Sequence, residues 1–263
     1  MNNENARLIV EQKDDVLLLK ISNPALRNAL GPAIYEKGID VIRAANSDAT
    51  ICAVVLSGAD GQFCGGGDLN RLRKTREGPR SVQFDGISGF HSWIEAIRDC
   101  PKPVIAAVEG ACAGGGFSLA LACDLIVAAE NAKFVMSYIK VGLTPDGGAS
   151  HTLLVLLPRQ LVLELLLDAE PISAQRLYQL GVVNRVAAPG AALDTALDWA
   201  NRISRGPQRA TQRLKPLLRA AAKNDLPSQL AVERDNFVAS LFDPECGEGI
   251  DAFLEKRKPD FQR

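Results

Sequence analysis

Apolar residues in the first part of this 263-residue chain come in short unbroken runs, and later they recur at helical spacing. Leu8–Val10 and Val16–Ile21 predict two strands joined at Lys13-Asp14-Asp15 as a hairpin. Asn23-Pro24 ends the second strand, and Gly31-Pro32 precedes an amphipathic helix running to about Ala45. Cys52–Ser57 and Val104–Val108 are compact strands, stopped by Gly58-Ala-Asp-Gly-Gln and by Glu109-Gly110. Leu125–Ala128 and the residues around Phe134 predict two more. Their apolar character is continuous rather than alternating, as expected of parallel strands buried on both faces. Strand, glycine-rich turn and helix alternate at least twice, which makes the fold class α/β. Thr144, Pro145 and Asp146 suit the N-cap, N1 and N2 positions of a helix running to Leu157. Beyond Ile172 strands become scarce, and Leu193–Ile203, Ala210–Ala222 and Leu230–Leu241 predict helices. The expected organisation is a core over residues 1–199 and a helical region over 200–263 that docks on the core or on a neighbouring subunit.

Composition narrows the function classes. The apolar fraction is 47% and the charged fraction 23%, ordinary for a globular protein, and the formal net charge is −1. That balance offers no field for nucleic acid or an anionic membrane. Lys256, Arg257 and Lys258 form a local basic run, which suits either a phosphate or a solvated helix face. The first residues lack the basic and apolar regions of a secretory signal, and no apolar stretch reaches ~18 residues, so a cytoplasmic, membrane-free protein is expected. Six cysteines occur without a CxxC pair, beside only two histidines, so no metal site is expected.

The candidate chemistry lies in two glycine-rich segments. Phe63-Cys64-Gly65-Gly66-Gly67-Asp68 follows the strand ending at Ser57, and Gly110 to Ser118, containing Gly114-Gly115-Gly116, follows the strand ending at Val108. Glycines ahead of a helix leave backbone N–H groups uncovered, and the helix N-terminus adds unpaired donors and partial positive charge. Two such segments converging on one oxygen make an oxyanion hole. Close helix–strand packing or turns with φ > 0 would use the same glycines. The GxGxxG dinucleotide pattern is not matched convincingly, and the missing GK[ST] excludes a Walker-type loop.

Taken together, the motifs resemble the enoyl-CoA hydratase/isomerase (crotonase) family over nearly the whole chain. They are Asn23-Pro-Ala-Leu-Arg-Asn28-Ala-Leu30, Phe63-Cys-Gly-Gly-Gly-Asp68-Leu69, Pro103 through Asp124, Lys140-Val-Gly-Leu-Thr-Pro-Asp146-Gly-Gly148 and Phe253-Leu-Glu-Lys-Arg-Lys258. The resemblance implies a crotonase spiral of ββα units, a C-terminal trimerisation region, trimers or hexamers built as dimers of trimers, and coenzyme A thioesters as substrate with no separate cofactor. It implies backbone donors at Gly67 and Gly115. It also places Arg27, Ala29, Phe63, Cys64 and Gly65 along the coenzyme A, and Lys256 at a phosphate, from the same or a neighbouring subunit.

Two family glutamates that activate water in hydratases are replaced here by Ser118 and Tyr138, neither of which is a carboxylate base near neutral pH. Asp146 is the remaining acidic candidate, and its motif is similar to that of epoxyphenylacetyl-CoA and enoyl-CoA isomerases, in which an aspartate shuttles a proton. The expectation is an acyl-CoA isomerase. A hydratase or hydrolase with a non-standard acid–base set, or a non-catalytic acyl-CoA binder, are the alternatives. An acidic residue in a first helical turn is also favoured by the helix dipole without any catalysis. Ser118 is expected to bond backbone in the first turn of its helix or to touch substrate, and Tyr138 to line the acyl pocket, donate to the substrate or pack in the core. Asp68 is expected to brace its loop through backbone bonds. Cys64 has no adjacent base and His91 no supporting partner, and His151 is placed one turn beyond Asp146 on a shared helix.

Overall fold

Parallel pairing of unbroken apolar strands organises the molecule. The computed structural model describes residues 6–261. In chain order the elements are β1 (Arg7–Lys13), β2 (Val16–Ser22), α1 (Pro32–Ser47), β3 (Ala53–Gly58), α2 (Leu69–Thr75), α3 (Arg80–Asp99), β4 (Val104–Val108), β5 (Ala111–Ala113) and α4 (Gly115–Ala122). They continue as β6 (Leu125–Ala129), β7 (Lys133–Val135), α5 (Ala149–Leu156), α6 (Arg159–Leu167), β8 (Ile172–Ser173), α7 (Ala174–Gln179), β9 (Arg185–Ala187), α8 (Ala192–Ser204), α9 (Gln208–Ala221), α10 (Leu226–Leu241) and α11 (Pro244–Leu254).

One sheet runs β1-β2-β3-β4-β6-β9 and a smaller one β5-β7-β8. The β1–β2 hairpin is antiparallel, and every later pair in the larger sheet is parallel. Two successive turns of chain each give a strand to the large sheet and then one to the small sheet, β4 then β5 and β6 then β7. That is the spiral of ββα units anticipated above. All five residues of β4 are buried, which is why its sequence does not alternate.

The large sheet is covered by α8, which packs on β3, β4 and β6. Glu109 fixes its start, accepting from the Ala192 N–H at 2.8 Å and the Gly190 N–H at 3.2 Å. The division expected at residue 200 falls inside this helix, which continues to Ser204. Further along, Lys215 of α9 pairs with Asp124 at 2.7 Å, and Asp124 also accepts the Val104 N–H at 2.7 Å. One carboxylate thus joins α9 to the mouth of β4. Lys102, fully buried, donates its ammonium to the carbonyls of Ala45 and Asp48 at the end of α1. These contacts satisfy polar groups that would otherwise be costly to bury.

The predicted helix with Thr144 as N-cap begins later than expected. Gly147 and Gly148 both take positive φ (61° and 77°), and α5 starts only at Ala149. Asp146 therefore precedes the helix and is not in its first turn, and His151, exposed on α5, does not share a helix with it. Several short elements escaped the pattern, and so did α3 and β5, for local reasons. The N-terminal half of α3 carries Gly86 and Gly89 and exposes Val82 and Phe84, so its apolar period is broken; β5 is three residues inside a glycine-rich stretch.

Gly116 sets a limit on this packing, because a Cβ there would lie 2.4 Å from the Cys64 carbonyl oxygen. Gly116→Ala is expected to lower unfolding stability by about 1–3 kcal/mol in urea titrations, the usual cost of overpacking. Gly247, on an exposed turn of α11 with nothing within 4 Å of its Cβ position, is the control. Gly247→Ala should raise stability by roughly 0.5–1 kcal/mol.

Candidate active site

The two glycine segments lie against one another as backbone on backbone. Cys64 donates its N–H to Ala111 at 2.9 Å and accepts from the Ala113 N–H at 2.9 Å, a parallel bridge that carries the small sheet into the first segment. A Cβ on Gly66 would sit 2.9 Å from the Ala113 oxygen and 3.6 Å from the Gly115 nitrogen. Gly66 also has φ +100°, which a side chain would resist. Close approach and backbone conformation both require glycine here.

This approach sets the first segment against the start of α4, where Gly115 lies. Gly115 is the first residue of α4, ahead of the intrahelical ladder, so its N–H has no acceptor within the helix. Gly67 lies just before α2, whose N-cap is Asp68. The Asp68 carboxylate accepts from the Asn70 and Arg71 N–H groups at 2.9 and 3.2 Å, so it braces the helix start after the loop. The Asn23–Leu30 loop holds the first segment from outside. Arg27 accepts the Gly65 N–H at 2.8 Å, and Leu30 donates to Gly66 at 2.7 Å. Asn28, itself at φ +59°, donates its amide to the carbonyls of Ala59 and Gln62 at 2.8 and 2.7 Å and accepts the Asn23 N–H at 2.9 Å. The Asn23–Leu30 motif is thus a clamp on the glycine loop.

Beside Gly115 three oxygens form a chain. The Tyr138 hydroxyl donates to Asp146 Oδ1 at 2.5 Å and lies 2.9 Å from Ser118 Oγ, which in turn is 3.4 Å from the Gly114 carbonyl. Ser118 is buried in the first turn of α4 and bonds backbone as expected; Tyr138 and Asp146 are half-buried. Burial, reinforced by the Asp146 charge, holds the Tyr138 phenol well above its ordinary pKa. The phenol is therefore a neutral donor to the carboxylate. Phe90 of α3 closes this side: its ring lies 3.8 Å from the Cβ position of Gly115 and 2.6 Å from that of Gly147. The Gly147 N–H donates to His91 Nε2 at 3.2 Å, so His91 does have a partner, next to Asp146.

Sequence reasoning missed Tyr35, Arg71 and Phe90. Tyr35 of α1 is buried against Phe90, with ring centroids 5.5 Å apart, and its phenol is raised to about 12, mainly by burial, with Arg71 opposing and Asp146 assisting. The spacing of Gln83, Gly86, Ile87 and Phe90 on one face of α3 was the available signal, hidden by the glycines. The other expected residues are placed as follows. Phe63 and Cys64 are fully buried, so their side chains belong to the core, and burial raises the Cys64 thiol to about 12, which leaves it inert. Ala29 is buried and Arg27 exposed in the clamping loop, with Arg27 at φ +51°. Lys256 is exposed beyond α11 at φ +58°, and no hydrogen bond joins it to the glycine segments among the described residues. Those residues hold no cluster of His, Cys, Asp or Glu arranged for a metal ion, and no helix long and apolar enough to cross a membrane.

Comparison with known proteins shows relatives over the whole length of the fold. A family model described as enoyl-CoA hydratase/isomerase matches residues 11–263. The chain is 35% identical to a 2,3-dehydroadipyl-CoA hydratase of Escherichia coli K12, over 98% of this chain and 99% of that one. It is 32% identical to a 1,2-epoxyphenylacetyl-CoA isomerase of the same strain, over 94% of each. The crystal structure of an enoyl-CoA hydratase from Polaromonas sp. JS666 superposes with a TM-score of 0.95 at 51% identity, covering 97% of this chain and 99% of that one. The chain belongs to the enoyl-CoA hydratase/isomerase family and has its crotonase fold.

The raised phenols give a spectroscopic test. Tyr35→Phe and Tyr138→Phe should each leave the tyrosinate absorbance gained between about pH 9 and pH 11 unchanged, since neither phenol ionises at the ordinary value of ~10. Loss of a tyrosine's worth of signal in that window would contradict the burial argument. Native phenols that hold protons more tightly than unfolded ones contribute stability that is full below about pH 10 and lost as pH rises beyond it.

Proposed function

We propose that this protein is an acyl-CoA isomerase that moves a double bond, or rearranges a ring-derived acyl group, through a thioester enolate. The observation that carries this reading is the carboxylate of Asp146, gripped by the Tyr138 hydroxyl at 2.5 Å beside the first turn of α4. The thioester carbonyl accepts from the Gly67 and Gly115 N–H groups. Asp146 removes a proton from one acyl carbon, the negative charge passes to the thioester oxygen, and the Asp146 carboxyl, its proton exchanging with solvent, protonates another carbon. A single base is enough, because no water is added. Tyr138 stays protonated and holds Asp146 in position; Ser118 holds Tyr138. Arg27 and Ala29 of the clamping loop and Gly65 and Asp68 of the first glycine segment carry the coenzyme A side of the substrate, with Lys256 as a phosphate contact. The helical region after residue 200 is the oligomerisation surface of a trimer or hexamer, a role that suits the exposed Leu214, Leu218, Phe237 and Phe253.

A second reading is supported by the relatives, several of which are named as hydratases. Under it the Tyr138 and Ser118 hydroxyls hold a water that Asp146 activates. Incubation with 3-enoyl-CoA and 2-enoyl-CoA in D₂O separates the two readings. We expect double-bond migration with deuterium uptake and little hydration, falling by about 10²–10⁴ in Asp146→Asn. Rapid hydration that survives Asp146→Asn would overturn the assignment of Asp146 under both readings.

A further inference from the structure

Arg71 brings an unbalanced positive charge to the wall of the site. It lies on α2, three residues after Asp68, with its guanidinium against α3: a Cβ on Gly86 would be 3.3 Å from Arg71 Nη1. It also lies beside the buried Tyr35 hydroxyl, close enough to favour ionisation of that phenol, yet burial keeps the phenol neutral. No carboxylate forms an ion pair with Arg71 among the described residues. Its Nε is buried without a hydrogen-bond partner, and so is the side-chain oxygen of Gln83, one helical turn from Gly86 on α3. Buried polar atoms are nearly always paired, so these two unpaired atoms on α2 and α3 leave hydrogen-bonding capacity open to a ligand.

The position along α3 gives the scale. Phe90 touches the Gly115 end of the site and Gly86 touches Arg71. Four residues of helix separate them, about 6 Å at 1.5 Å per residue. An acyl group whose thioester oxygen rests at Gly67 and Gly115 and whose chain passes Phe90 reaches Arg71 after a few carbons. The class of group that a guanidinium recognises there is a carboxylate, which it can bind through two parallel N–H donors. Half a turn of the Gln83 amide puts its NH₂ where its orphaned oxygen lies, adding a donor to the same group.

We propose that Arg71, with Gln83 on the same wall, selects acyl-CoA thioesters whose acyl group ends in a carboxylate. The inference rests on the acyl-CoA reading above for the direction of the acyl chain, but not on which reaction follows. Saturated thioesters, which have no double bond to move or hydrate, therefore test it by binding alone. In isothermal titration, hexanedioyl-CoA should bind the wild-type protein about tenfold or more tighter than hexanoyl-CoA, the scale of a hydrogen bond to a charged group. Arg71→Gln should remove that preference and leave hexanoyl-CoA within about threefold of wild type, and Arg71→Lys should keep part of it. Asp146→Asn should retain the full preference, so that failure of the isomerase reading and failure of this one are distinguishable. Equal wild-type affinities for the two thioesters would overturn the proposal whether or not the variants fold. So would a preference that persists in Arg71→Gln, or an equal loss of both ligands in that variant when its thermal melting is unchanged.

Discussion

Backbone contact between two glycine segments is the constraint on which the rest of the structure depends. Gly66 lies against Ala113 and Gly116 against Cys64 at distances that no Cβ tolerates. Because the segments touch, Cys64 can join the small sheet and α4 can begin directly opposite the first loop. In the proposed function the N–H groups of Gly67 and Gly115 serve one oxygen there, without any side chain having to be ordered to make the site. Preorganised donors of this kind cost no rearrangement when charge develops on an oxygen between them. The clamp from Asn28 and the parallel strands behind the loops hold that geometry from outside.

The acid–base part follows from a different local choice. Two left-handed glycines, Gly147 and Gly148, detach Asp146 from α5, so the helix dipole does not act on it as it would on a first-turn residue. Its partner is instead the Tyr138 hydroxyl, itself tied to Ser118 and through it to the Gly114 carbonyl. The Asp146 carboxylate is thereby tied to the first turn of α4. Phe90 and Tyr35 form the apolar side of that arrangement, and Arg71 supplies the charge at its far end.

Much of this was legible in the sequence because it depends on residues with few alternatives. Unbroken apolar runs gave β3, β4 and β6 to within a residue or two, and the glycine triplets marked both loops. The pairing of Ser118, Tyr138 and Asp146 was suggested only by resemblance, since nothing in the chain's spacing brings residues 118, 138 and 146 together. The start of α5 was misplaced because Thr144-Pro145-Asp146 satisfies every local rule for a helix start, while two glycines afterwards impose positive φ. Most of the missed wall comes from α3, where glycines and exposed apolar residues blur the helical period. Arg71 was hidden for another reason: an arginine in an exposed-looking helix reads as solvated until the neighbouring helices are seen to cover it.

In the proposed function everything turns on a thioester carbonyl polarised between Gly67 and Gly115. Infrared difference spectroscopy of a bound acyl-CoA carrying ¹³C at the thioester carbonyl tests it most directly. Two aligned donors should move the labelled carbonyl stretch to lower frequency on binding, and should do so equally in Asp146→Asn. A bound ligand whose labelled stretch stays where it is in water, or moves to higher frequency, would contradict the account.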